Sequence, residues 1–266
     1  MVVLAAVSAR AEEKPTAPPA ASAVVEQPLS PELLPVTPQC DKWTLDRHNA
    51  LVEQARTYPI EVAFYGDSLT QNFGNEEASR PIWEREMAPL KAGNFGISGN
   101  KVENLLWRLQ NGELDKMKLK VAVVMIGTNN LGSPPKAVAE GIKLILQTIA
   151  KNQPQARILL LGVPPAGWDA TDEKRPVAKA INAVLADYQK QNLCDAYLDW
   201  GVALLDADGT LSHQMSMDGY HYTPAGYEVY VKAIKPVLLQ CLAMPPRNRT
   251  GTSSLPKVTT PTPARR

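Results

Sequence analysis

The sequence predicts one three-layer α/β/α domain built on a parallel sheet. Short, nearly continuous apolar runs alternate with longer stretches of helical periodicity, and no internal repeat divides the chain. Several of the runs also end at a glycine followed by polar residues. A strand apolar on both faces belongs in a sheet covered by helices on each side, and helix-length connections make its neighbours parallel.

The first predicted strand lies in residues 60–65 and closes at Gly66. A second strand end falls at Asn94-Phe95, a third strand is VAVVMI (121–126), and a fourth is ILLL (158–161). Between them, Val138, Ile142, Ile145 and Ile149 recur at helical spacing, as do Val177, Ile181, Val184, Leu185 and Tyr188. The last helix places Tyr227, Tyr230, Val231, Ile234, Val237 and Leu238 on one stripe. These elements bound a domain of about residues 41–245.

The flanks have a different composition. Residues 12–40 form a Pro/Ala-rich linker, with seven of the 23 prolines between Pro15 and Pro38. Such a segment has too little apolar surface to offset its ordering entropy. Ahead of it, residues 1–11 read as the remnant of a signal peptide, with Ala9-Arg10-Ala11 as a small-x-small cleavage pattern. Export to a periplasm or medium is the expectation, and a cytoplasmic protein the alternative. Residues 246–266 carry five basic residues and no acid, and read as a solvated tail.

Twenty-eight Lys and Arg against 27 Asp and Glu leave no strong field for nucleic acid or an anionic membrane. No apolar run reaches the roughly 18–20 residues of a membrane-spanning helix. The cysteines (Cys40, Cys194, Cys241) and histidines (His48, His213, His221) lack the spacing of a zinc site, and no metal or other cofactor is implied. A disulfide between Cys40 and Cys241 would tie the ends of the domain together and leave Cys194 as a buried thiol. The spacing alone leaves that pairing open.

In a parallel sheet, ligands sit at the carboxyl ends of the strands. Four polar segments can meet there: Gly66-Asp67-Ser68-Leu69-Thr70, Gly96-Ile97-Ser98-Gly99-Asn100, Gly127-Thr128-Asn129-Asn130 and Asp218-Gly219-Tyr220-His221. A serine nucleophile needs a base, the base an orienting group, and the oxyanion donors. Ser68 at a strand-to-helix turn can be the nucleophile and His221 its base. Asp218, three residues earlier, can hold the imidazole tautomer. The N–H groups of Ser68 and Gly99 and the side-chain amide of Asn129 can make the oxyanion hole. Singly, each is ordinary turn or cap chemistry; together, each at the end of its own element, they make a complete acyl-transfer site. Asp67 is expected to hold its turn, Ser98 to be a turn residue, His213 to be structural and His48 to be exposed. No GxSxG elbow occurs, which argues against the usual α/β-hydrolase arrangement.

The four blocks (a GDS serine, a glycine, a GxN asparagine and a DxxH pair) resemble those of the SGNH/GDSL hydrolase family. The likeness covers about residues 60–243. Within the family it is nearest the catalytic subunits of platelet-activating factor acetylhydrolase Ib, through NFGISGNKVENLLWRLQNGELD (94–115), VAVVMIGTNN (121–130), QARILLLGVPP (155–165) and DGTLSHQMSMDGYH (208–221). The resemblance implies a flavodoxin-like sandwich with a short parallel sheet, and hydrolysis of short-chain, chiefly acetyl, esters without a metal. It also implies an acyl pocket limited by Leu69, Thr128 and Tyr220, where Tyr220 stands in place of an expected leucine. The expected substrate is an acetylated carbohydrate or small molecule. A phospholipid acetyl ester, or acetyl transfer to a glycan, is the alternative, and non-catalytic glycan binding the remote one. A homodimer is compatible with the subfamily.

Overall fold

A computed structural model describes residues 41–247. Five strands form one all-parallel sheet in the order β2-β1-β3-β4-β5: β1 (Val62–Gly66), β2 (Ala92–Gly96), β3 (Val121–Met125), β4 (Arg157–Leu161) and β5 (Ala196–Leu198). This is the doubly wound flavodoxin-like order, which reverses direction between β1 and β3. The seven described α-helices are α1 (Lys42–Thr57), α2 (Ser68–Asn75), α3 (Arg80–Glu86), α4 (Val102–Gln110), α5 (Pro135–Asn152), α6 (Lys174–Leu185) and α7 (Pro224–Ala243).

Strand alternation divides the interior into two cores. Ala63, Tyr65, Ala122, Val124, Ile158 and Leu160 face α1, α4, α5 and α6. Val62, Phe64, Val121, Val123, Leu159 and Leu161 face α2, α3 and α7. Every residue of β1, β3 and β4 is buried, which is why those runs read as continuously apolar. The helical stripes land where their periodicity places them: Val138, Ile142, Ile145 and Ile149 are fully buried, and the α7 stripe closes the second core.

Two expectations change. His48 is 4% exposed, because α1 turns Thr44, His48, Leu51, Val52 and Ala55 inward at helical spacing and His48 Nδ1 lies 2.9 Å from buried Glu113. Arg247, expected in the solvated tail, is fixed to the domain. Its guanidinium reaches Asp195 at 2.6 Å and the Asn192 carbonyl at 2.7 Å.

Cys194 and Cys241 are buried thiols, pushed up to about 12 chiefly by that burial. The expected signal-peptide remnant, the linker with Cys40 and its bridge to Cys241, and the tail beyond Arg247 lie outside the described residues. No helix among the described residues is long and apolar enough to cross a membrane.

Candidate active site

The polar segments that follow β1, β2 and β3 gather at the carboxyl edge of the sheet, around the switch point between β1 and β3. Ser68 is the first residue of α2, so its N–H has no acceptor within the helix. Asp67 caps that helix: its Oδ1 accepts from the Leu69 N–H at 3.0 Å. Gly66 and Gly96 let α2 lie directly on the sheet. A methyl group at Gly66 would strike Thr70 and the Met125 carbonyl, and one at Gly96 the backbone of Gln71.

Asp67 is 1% exposed and its Oδ2 has no hydrogen-bond partner. Burial pushes its carboxyl up to about 6, against the opposing effects of the Leu69 N–H and nearby His221.

From the other side of the sheet edge, a hairpin-like loop ahead of α7 brings in Asp218 and His221. The loop is pinned by the isolated bridge between Ser216 and Tyr222. Buried Ser216 Oγ donates to the His221 carbonyl at 2.9 Å and accepts from the Gly219 N–H at 3.0 Å. Asp218 Oδ1 accepts from the backbone N–H groups of Tyr220 and His221 at 3.0 and 2.7 Å. Its Oδ2 stands 2.7 Å from His221 Nδ1, and His221 Nε2 stands 2.9 Å from Ser68 Oγ. Burial opposes the charge on Asp218, but the hydrogen bonds from His221 and Tyr220 outweigh it and hold the carboxyl below its ordinary range. The result is a continuous carboxylate–imidazole–hydroxyl chain across 153 residues of sequence.

Gly99 takes a left-handed φ of +75°, with open space in front of its Cα. Asn129 is exposed on a 3-10 turn (Thr128–Asn130), and its Nδ2 donates to the Asn100 carbonyl at 2.9 Å. One amide hydrogen of Asn129 is thus anchored, leaving the second for another acceptor.

The three residues expected to limit the acyl pocket are not equivalent. Leu69 is sealed in the second core, whereas Thr128 and Tyr220 are half-buried and Tyr220 packs against the first core. Lys174 lies over the Tyr220 ring, 5.9 Å from its centroid. His213 is exposed and packs at a tilt against Trp168, with ring centroids 4.0 Å apart, and Ser98 sits in a turn with its N–H on Gln71 Oε1.

Beneath the rim lies a group that the sequence reading did not single out. Arg108 and Glu113 are wholly buried and paired through both carboxylate oxygens, at 2.8 and 2.7 Å. Burial works against the charge on Glu113, but Arg108 and His48 hold its carboxyl below the ordinary range. The signal was an arginine on the buried face of α4 beside Leu105 and Leu109. A charge in an apolar stripe needs a partner.

Comparison with known proteins agrees with this architecture. Residues 64–229 match the model of the GDSL-like lipase/acylhydrolase family. Over 205 residues the chain is 37% identical to platelet-activating factor acetylhydrolase IB subunit alpha1 of Rattus norvegicus, covering 76% of this chain and 84% of that protein. Its fold resembles a GDSL-like lipase from Bacteroides thetaiotaomicron, with a TM-score of 0.57 and 18% identity over 75% of this chain and 97% of that one. It also resembles a catalytic mutant of an acetylxylan esterase from Geobacillus stearothermophilus, with a TM-score of 0.55 and 15% identity over 73% and 99%. The chain belongs to the GDSL-like lipase/acylhydrolase family and is an ester hydrolase of that family.

Proposed function

We propose that this hydrolase removes short acyl groups, chiefly acetyl, from a carbohydrate or small-molecule alcohol through a serine acyl-enzyme. The observation that carries the reading is the Asp218–His221–Ser68 chain, with links of 2.7 and 2.9 Å. Ser68 Oγ attacks the ester carbonyl carbon while His221 Nε2 takes its proton, and Asp218 stabilises the imidazolium. The tetrahedral oxyanion is held by the N–H groups of Ser68 and Gly99 and by the free amide hydrogen of Asn129. Its collapse breaks the bond to the alcohol oxygen, which leaves with the proton from His221. Water then attacks the acyl-Ser68, giving its proton to His221, and the acid departs as Ser68 recovers that proton.

The acetyl preference is supported by two proteins that this chain resembles, a platelet-activating factor acetylhydrolase and, in fold, an acetylxylan esterase, which share acetyl removal and differ in the alcohol. On this reading Thr128 and Tyr220, the chain neighbours of Asn129 and His221, lie on the acyl side of the site, with Leu69 behind it in the second core.

The test is hydrolysis of p-nitrophenyl esters from acetyl to octanoyl by wild type and Ser68→Ala. Turnover is expected to fall steeply beyond acetyl, and to drop by about 10⁴ or more in the variant. Equal rates on octanoyl would overturn the short-acyl reading; turnover independent of Ser68 would overturn the mechanism. Release of acetate from acetylated xylo-oligosaccharide, compared with an acetylated ether phospholipid, then identifies the alcohol.

A further inference from the structure

Asn129 is exposed, so its own packing does little to aim its amide. Its hydrogen bond to the Asn100 carbonyl does. Asn100 is 5% exposed and held at two further points: its N–H donates to the Ile97 carbonyl at 3.2 Å, and its Oδ1 accepts from Arg108 Nη1 at 2.8 Å. The same guanidinium donates to the Phe95 carbonyl on β2 and, at 3.4 Å, to the Gly66 carbonyl at the end of β1. Gly66 is two residues before Ser68, and Asn100 is the residue after Gly99. One buried cation therefore joins the turn that carries the nucleophile, the turn that carries Gly99 and, through Asn100, the side chain of Asn129.

We propose that Arg108 and Asn100 are positioning residues that aim the Asn129 amide at the oxyanion. The proposal rests on the reading of Asn129 as an oxyanion donor. Stability alone is a poor reason for a fully buried Arg–Glu pair, since apolar residues of similar volume often serve as well or better. Aim is a better reason, because a donor displaced by about 1 Å costs on the order of 10²-fold in rate.

Arg108→Ala would strand Glu113 as a buried unpaired carboxylate and risk unfolding, so the test falls on Asn100. Asn100→Ala keeps the carbonyl that Asn129 uses and removes only its anchor on Arg108. Asn100→Asp keeps an acceptor for the guanidinium. Turnover of p-nitrophenyl acetate is measured for both, for Asn129→Ala and for the double alanine variant, with thermal melting confirming that each is folded.

Asn100→Ala is expected to lower kcat about tenfold or more with KM within about twofold, and Asn100→Asp to stay within about threefold of wild type. In the Asn129→Ala background the Asn100→Ala change should alter kcat by less than about twofold, because its route to the reaction is gone. Equal losses in both backgrounds, or the same loss in Asn100→Asp as in Asn100→Ala, would overturn the proposal. Wild-type kcat in Asn129→Ala alone would instead overturn the oxyanion reading, and the proposal with it. The two failures are read from different variants.

Discussion

The two ends of the sheet carry the same buried chemistry and use it differently. At the carboxyl end, Arg108, paired with Glu113, lies under a rim of glycine, serine and asparagine turns and donates to strand-end carbonyls and to Asn100. At the amino end, Arg157 opens β4 and meets Asp195 at 2.8 Å, while Arg247 meets the same carboxylate at 2.6 Å. Arg157 also donates to the Pro245 carbonyl, and Asp195 Oδ2 accepts from the Ile158 N–H at 2.9 Å. That cluster fastens the segment after α7 to the edge of the sheet. Its partners are the chain's own backbone and nothing in it faces the reaction. Charge at one end sets geometry for chemistry; charge at the other closes the fold.

The contrast can be broken in order of effect. Asp218→Asn, on the half-exposed rim, should lower kcat on the order of 10³–10⁴ while leaving the melting temperature nearly unchanged, because only the imidazole loses its orienting charge. Steady-state kinetics beside a thermal melt would show it, and a large melting shift would mean that the turn, not the base, was damaged. Asp195→Ala should do the reverse. It leaves buried Arg157 unpaired, so about 3–5 kcal/mol of stability should go with kcat per folded molecule intact, as urea unfolding and active-site titration would report.

The smallest effect sharpens the rim itself. Asp67 titrates at about 6 in the fold, above its ordinary 3.8. The unfolded chain therefore gives up that proton first, and ionised Asp67 favours unfolding. The penalty builds from about pH 4 and is complete above about pH 6.5, reaching on the order of 3 kcal/mol. Asp67→Asn escapes it, so its stability relative to wild type should rise across that window and level off beyond. A difference that stays constant with pH would show that burial does not perturb the carboxyl.

What could be read without coordinates follows from physical locality. The runs VAVVMI and ILLL announce buried parallel strands because both faces are covered. Ser68, Asp218 and His221, which the structure brings into one hydrogen-bonded chain, could be proposed because they follow a strand or precede the last helix and one chemistry requires all three. β5 escaped notice because three residues, Ala196–Leu198, give no periodicity to detect. His48 was misjudged because α1 is polar overall and only its spacing marks the inward face. The Arg108–Asn100–Asn129 path was invisible for another reason. It runs through a backbone carbonyl, which every residue has and no sequence pattern records.

The loop that carries Asp218 and His221 on one tight turn also bears on when the protein becomes active. Ser68, Gly99 and Asn129 all lie in the first half of the chain, with their supporting Arg108, whereas the acid–base pair arrives just ahead of α7. During synthesis the proposed nucleophile and oxyanion donors emerge from the ribosome first. They remain without the proposed proton acceptor until the loop ahead of α7 is made, and α7 then closes the second core. On the proposed mechanism, a nascent or truncated chain that ends before Asp218 is chemically silent, and competence waits on the loop that carries the acid–base pair.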